Sequence, residues 1–232
     1  MRRMKLLALD SSTEWISVAA GDGVTWHSRD EPASNAHSER VMPLLREVLA
    51  DAGWRLSDLD AIAFGAGPGA FTGVRIACGI AQGLALGAAL PVVPVGTLEA
   101  LAEEAWRAYG CERVLAALDA RMREVYVAAY RRSGEGWVCE QPPAVLKPDD
   151  VAIPAGKWMG AGDAFARYPA LTARPGLSST DATLRPSARA VATLAMPRVA
   201  SGNAVAARDA LPAYVRHRVA LTSAERDAGA RL

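Results

Sequence analysis

One pattern occurs once in each half of the chain and limits its architecture more than any other: an apolar strand that ends on an aspartate and leads into a hairpin. Lys5-Leu-Leu-Ala-Leu9 runs into Asp10-Ser-Ser-Thr13, and Trp15–Ala20 and Val24–His27 follow across Gly21-Asp-Gly23, which is hairpin punctuation. After Gly110 the pattern restarts. Arg113–Leu118 ends at Asp119, Glu124–Tyr130 pairs with it across a short turn, and Trp137–Leu146 supplies a third strand. A chain of 232 residues built this way is one large domain or two lobes, divided near residue 110.

Between the two strand sets, Val41, Leu44, Leu45, Val48, Leu49 and Ala52 recur at helical spacing and predict a helix over Ser38–Gly53. Ala61–Phe64 reads as a buried strand and Gly65–Gly73 as a glycine-rich loop. Thr72 is the expected N-cap of a helix running to about Ala89. A strand at Pro91–Val95 and a helix over Thr97–Trp106 complete a β-β-β-α-β-α-β-α order, which fits a mixed sheet with helices on its faces. From Lys147 to about Pro186, Pro and Gly break every pattern. A helix over Ser187–Ser201 and the segment Pro212–Arg216 close the chain, with His217 just beyond.

Charge excludes a polycation that coats nucleic acid, because 26 Lys and Arg face 25 Asp and Glu. Residues 1–110 hold 9 basic and 13 acidic side chains and residues 111–232 hold 17 and 12, a mild basic bias in the second half. Cys78, Cys111 and Cys139 lie far apart, which suits a reducing compartment better than a disulfide framework or a zinc site. The apolar run after Met1-Arg-Arg-Met-Lys5 is too short for a signal peptide, and the most apolar stretch, Ile76–Val95, is broken by glycines, Gln82 and Pro91. A cytoplasmic protein with no membrane partner is expected.

Three places could carry chemistry. The turn Asp10, Ser11, Ser12, Thr13, paired with Asp119, has the composition of a phosphate loop, although an ordinary polar hairpin uses the same residues. Gly65-x-Gly67-x-x-Ala70 superficially matches a dinucleotide fingerprint, but Pro68 removes a donor and no acidic residue ends the next strand; close backbone packing is the competing reading. In the helix that follows, Gly79, Gly83 and Gly87 form a stripe, with Ile76, Ile80 and Leu84 as a second one that could face the sheet. Each interior glycine costs about 1 kcal/mol against alanine. A stripe of three therefore calls for a closely approaching helix, either the internal Val41–Ala52 segment or another chain. His27, His37 and His217 are isolated and form no metal-ligand spacing, and no nucleophile elbow is present.

The strings Leu7-Ala-Leu-Asp-Ser-Ser-Thr13, Gly67-Pro-Gly-Ala-Phe-Thr-Gly-Val-Arg75, Gly79-Ile-Ala-Gln-Gly-Leu-Ala85, Leu118-Asp-Ala-Arg-Met122 with Glu124-Val-Tyr126, and the closing Tyr214-Val-Arg216 resemble the bacterial TsaB (YeaZ) family of tRNA threonylcarbamoyladenosine biosynthesis proteins. The match is dense over residues 4–130 and thin beyond. The resemblance implies a two-lobed actin/sugar-kinase/Hsp70-like fold with a reduced second lobe, its C-terminal end returning to the first. It implies a non-catalytic subunit of the complex that places threonylcarbamoyl on the adenosine beside the anticodon of tRNAs reading ANN codons. The implied partners are TsaD, a catalytic paralogue, and TsaE, a small ATPase, with homodimerisation through the same N-lobe helices. On this reading Val41, Leu44, Leu45, Val48, Leu49, Ile76, Gly79, Ile80, Gly83, Leu84 and Gly87 form the interface, and Gly67, Pro68, Gly69, Thr72, Gly73 and Arg75 a structural loop. No catalytic residue or metal is implied, no cofactor is tightly bound, weak ATP or ADP binding belongs to the partner interface, and tRNA is reached through the complex. Where related kinases place glycines, Asp119-Ala-Arg-Met122 would crowd a phosphate. The competing expectations are a nucleotide phosphohydrolase using Asp10 and Asp119, and a weak direct tRNA binder through the basic second half.

Overall fold

The structure, a computed structural model, describes residues 2–33 and 37–216; His217 lies outside them, as does the side chain of His37. Among the described residues it contains two five-stranded mixed sheets and five α-helices. The first sheet is formed by β1 (Leu6–Asp10), β2 (Trp15–Gly21), β3 (Trp26–Pro32), β4 (Ala61–Gly65) and β5 (Val92–Val95), in the order β3-β2-β1-β4-β5. The second is formed by β6 (Arg113–Asp119), β7 (Val125–Ser133), β8 (Gly136–Leu146), β9 (Trp158–Ala161) and β10 (Leu177–Asp181), in the order β10-β9-β6-β7-β8. Strand for strand the two sheets have the same topology. In each, a strand ending in Asp pairs antiparallel with the next strand on one side and parallel with the fourth strand of its set on the other.

Central strands are buried on both faces, so their sequences are unbroken apolar runs rather than alternations. All five residues of β1 and all five of β4 are buried. β3 lies at an edge and reads His27-Ser-Arg-Asp-Glu31, which is why its polar half was not legible as strand.

The crossovers of the two lobes differ sharply. In the first, α1 (His37–Ala52) and α2 (Phe71–Ala88) join the strands and cover one face of the sheet. Val41, Leu44, Leu45 and Val48 of α1 pack there, as do Ala77, Cys78, Ala81 and Ala85 of α2. Ile76, Ile80 and Leu84, expected to face the sheet, are only half-buried at its flank, because the smaller residues let α2 approach more closely. In the second lobe the corresponding connections are a single turn at Pro148–Asp150, the four-residue α4 (Ala164–Arg167) and a turn at Pro169–Leu171. The stretch 147–186 thus holds two short strands and almost no helix.

The remaining helices, α3 (Thr97–Tyr109) and α5 (Ala188–Ala200), lie between the sheets. α5 covers the second face of the first sheet, with Ala188, Val191, Ala192 and Ala195 against Leu6, Ala8, Ala63 and Val93. α3 covers the second sheet, with Leu98, Leu101, Ala102 and Ala105 against Val114, Ala116 and Leu118. Three carboxylates of α3 fasten this layer. Glu103 accepts from Arg132 Nη1 and from Trp137 Nε1 at 2.8 Å. Glu104 accepts from Ser187, whose hydroxyl also caps α5 by accepting from Ala190 N at 3.1 Å. Glu99 takes both oxygens to Arg198 at 2.6 Å.

α2 is long and apolar enough to satisfy a length-and-composition test for a membrane-spanning helix, although Arg75 interrupts it and one face packs on the sheet.

Candidate functional site

Both aspartate-ended turns open onto one cavity between the lobes, of about 510 Å³. Ser12, Thr13 and Glu14 line it from the first lobe and Leu118–Arg121, Tyr126 and Asp163 from the second. Pro68–Phe71, Val74 and Arg75 form one wall, and the segment Ala213–Arg216 crosses it.

The two aspartates do different things there. Asp119 lines the cavity; its Oδ1 accepts from Tyr168 Oη at 2.9 Å and from Arg121 N at 3.0 Å, and its own N–H donates to Asp163 at 2.9 Å. Desolvation, reinforced by the Asp119 charge, pushes the Asp163 carboxyl above its usual range. Asp10 is withdrawn from the cavity and 2% exposed. Its Oδ1 accepts from Ser12 N at 2.9 Å and Ser12 Oγ at 2.7 Å, while Oδ2 is buried without a hydrogen-bond partner among the described residues. Burial raises its pKa against the pull of those two bonds. Ser11 is also fully buried and donates to Gly73 O at 2.8 Å. Of the five residues with the composition of a phosphate loop, then, Asp10 and Ser11 are corrected to core positions; Ser12, Thr13 and Asp119 face the cleft. Asp10 and Asp119 therefore do not line the cavity as a pair.

The glycine loop is explained by packing. A Cβ on Gly65 would stand 1.8 Å from Asp10 Oδ2, one on Gly69 2.4 Å from Ser12 O, and one on Gly73 1.8 Å from Ser11 O. The first turn of the chain is plugged into this loop, and only glycine leaves room. Three of the loop's donors are already engaged, Ala66 N–H to Val95 O, Gly67 N–H to Thr97 Oγ1 and Ala70 N–H to Ser12 O, while Pro68 has none. Those three donors are not free for an anion, as a dinucleotide-type loop would require. Thr72, expected as N-cap, is the second residue of α2. Ala70 holds the cap position with no side-chain bond, because its N–H is anchored by Ser12 O.

The segment Ala213–Arg216 straps the cleft. Ala213 N–H donates to Ala66 O at 2.7 Å, and Arg75 donates to Tyr214 Oη at 2.8 Å while its guanidinium lies 3.6 Å from the Phe71 ring centre. Arg216 donates to Ala120 O at 2.9 Å and Glu124 Oε2 at 2.6 Å. These bonds brace the β6–β7 turn, where Arg121, Met122 and Arg123 all have positive φ (61°, 54° and 59°). Non-glycine residues in that region cost about 1–3 kcal/mol each, so the turn persists only because its surroundings hold it. Arg121 also reaches Glu14 across the cleft mouth at 2.7 Å. Sequence reasoning placed Arg75 in a structural loop and Tyr214-Val-Arg216 in a closing family motif without linking the two; Glu14 and Asp163 it missed.

On the outer face of α2, Gly79, Gly83 and Gly87 are exposed, and a Cβ on any of them would meet nothing within 4 Å among the described residues. Leu86, beside them, is 77% exposed. The internal helix α1 therefore does not cover the stripe. Val41, Leu44, Leu45 and Val48, expected at an interface, are corrected to the chain's own core, since they are what holds α1 on the sheet. Leu49, Ile76, Ile80 and Leu84 are half-buried along the rim of the face that the glycines leave open. Among the described residues no group of three His, Cys, Asp or Glu is placed to hold a metal ion.

Comparison with known proteins gives concordant matches. The family model described as TsaD, tRNA N6-adenosine threonylcarbamoyltransferase, matches residues 28–224. The tRNA threonylcarbamoyladenosine biosynthesis protein TsaB of Escherichia coli is 43% identical over 223 residues, covering 94% of this chain and 96% of that protein. The protein of the same name from Haemophilus influenzae is 38% identical over 237 residues, with the same coverage of 94% and 96%. The solved structure of YeaZ from Pseudomonas aeruginosa superimposes with a TM-score of 0.86 at 45% identity, covering 91% of this chain and 99% of that one.

Proposed function

We propose, from the premise that this chain belongs to the TsaB (YeaZ) family of tRNA threonylcarbamoyladenosine biosynthesis proteins, that its part in that pathway is to bind and support a catalytic paralogue of the TsaD type. The observation that carries this reading is the open glycine face of α2. Three glycines weaken a helix that gains nothing from them among the described residues, since none of those residues occupies the space their missing side chains leave. A helix of a second chain, either the paralogue or another copy, fits that space and brings backbone against backbone. On this reading the protein works in the cytoplasm, pairs with itself when the paralogue is absent, meets the TsaE-type ATPase and tRNA through the complex, and holds ATP or ADP only weakly, at the partner interface.

The test is affinity for the TsaD-type paralogue before and after Gly83→Leu. The monomer has room for the leucine, so the variant should fold. Its Kd for the paralogue should rise at least tenfold, about 1.4 kcal/mol. Unchanged affinity would place the interface elsewhere.

The competing reading, a phosphohydrolase using Asp10 and Asp119, lacks support because Asp10 does not reach the cleft. We expect the chain alone to show no ATP turnover near the roughly 1–10³ s⁻¹ of ordinary enzymes. Turnover in that range, abolished by Asp10→Asn, would reverse the assignment.

A further inference from the structure

On the far side of the strained β6–β7 turn lies a groove of about 1310 Å³, walled by that turn, by Val145–Asp149 and by Arg167–Ala170. Five cations line it, Arg121, Arg123, Lys147, Arg167 and Arg216, against the carboxylates of Asp119, Glu124 and Asp149. Two of the carboxylates are engaged, Asp119 by Tyr168 and Arg121 and Glu124 by Arg216. Arg123, Lys147 and Arg167 are exposed, and none has a carboxylate partner within ion-pair distance among the described residues. Arg123, the last residue of the left-handed run Arg121–Arg123, lines this groove, and Arg216 bonds Ala120 and Glu124 on either side of that run. A backbone kept in a disfavoured conformation to present a cation suggests a ligand on the other side of it.

We infer that Arg123, Lys147 and Arg167 form a phosphate-binding rim for the backbone of tRNA, used while the chain sits in its complex. This rests on the proposed role in the tRNA-modifying assembly and adds to it a surface of this subunit that touches the substrate. The ligand is read as RNA because the groove is wide and three separate segments of the second lobe, the β6–β7 turn, Lys147 and Arg167, each contribute one cation to it. Three side chains suit successive phosphates and recognise no base. They are too few for tight binding by the isolated chain, in keeping with near-zero net charge.

The experiment uses the full chain, alone and mixed with the TsaD-type paralogue, and an unmodified tRNA transcript as probe. Affinity is followed against salt for the wild type, for Arg123→Gln/Lys147→Gln/Arg167→Gln, and for the equal-charge control Arg2→Gln/Arg29→Gln/Arg55→Gln on the first lobe. Each phosphate contact contributes about 0.7–0.9 to the slope of log K against log salt, so the rim variant should lose about 2–3 from that slope while the control loses none. Arg123→Lys/Arg167→Lys should restore it. Affinity for the paralogue should not change in the rim variant, and this separates the two readings. If the paralogue fails to bind the wild type, the proposed assembly is wrong, and the salt slope of the chain alone still decides the rim. If the paralogue binds and the rim variant keeps the wild-type slope, the rim inference is overturned. Saturable binding of inorganic tripolyphosphate that the rim variant abolishes, with tRNA affinity intact, also overturns it in favour of a small polyphosphate.

Discussion

Asp10 and Gly73 show how much a single position decides. The Asp10 carboxyl is enclosed, and its folded pKa stands above the 3.8 of a free aspartate because burial disfavours the charge. A group whose folded pKa is raised binds protons more readily when folded, so its contribution is greatest below pH 3.8 and is lost as pH rises through the folded value. Asp10→Asn keeps the acceptor for Ser12 and removes the charge. It should melt higher than the wild type at pH 8, with a smaller advantage at pH 4; equal melting curves at both would refute the burial account. Gly73 and Gly83 lie in the same helix and should respond oppositely to alanine. At Gly73 the new methyl meets Ser11 O, which is backbone and cannot step aside, so a loss of at least about 1–3 kcal/mol is expected. At Gly83 the methyl meets nothing, and helix propensity should add about 0.5–1 kcal/mol to the isolated chain. Thermal melts of the two variants settle the pair, and Gly83→Ala should weaken partner binding even as it stabilises the monomer.

Among the elements, α3 is the one that joins the halves. Its Glu103 is the counter-ion of Arg132, whose side chain is 13% exposed and lies between the rings of Trp106 and Trp137, about 5 Å from each. Glu103→Ala would leave that guanidinium enclosed and unpaired, at a cost of about 3–5 kcal/mol. The melting temperature should fall by about 10 °C, at roughly 2–4 °C per kcal/mol for a chain of this size. Adding Arg132→Met should recover part of the loss, and a double variant no better than the single one would rule the ion pair out as the cause. None of this could be read from the sequence, where Glu99, Glu103 and Glu104 look like the solvated side of an amphipathic helix. What could be read were elements whose burial leaves a pattern in their own residues: β1, β4 and β6 as apolar runs, α1 as a 3.6-residue period. β9 and β10 escaped because Gly160 interrupts the short apolar run Trp158–Ala161 and β10 is largely polar. The Thr72 cap was misread because a distant acceptor, Ser12 O, overrides the local preference. The two turns of the candidate site were legible for the same local reason; its cross-chain partners, Glu14 with Arg121 and Arg75 with Tyr214, lie over a hundred residues apart and leave no periodicity.

At the scale of the whole molecule, the strap and the returning helix tie the chain's last described residues to its first. Arg216→Gln should free the β6–β7 turn, seen as at least about tenfold faster amide exchange over residues 120–124, a shift of about 1.4 kcal/mol in local opening. Arg208→Gln, an exposed change elsewhere on the same segment, should leave those amides as they are; equal exchange in both variants would mean that the strap is not a brace. The return of α5 also has a consequence for synthesis. A ribosome that has delivered residues 1–110 has made every strand of the first sheet, yet Leu6, Ala8, Ala63 and Val93 still await the helix that ends at Ala200. For the intervening ninety residues the nascent protein carries a sticky, half-clad face. Its oldest part is therefore finished nearly last, and a fragment stopped at Gly110 should aggregate rather than fold.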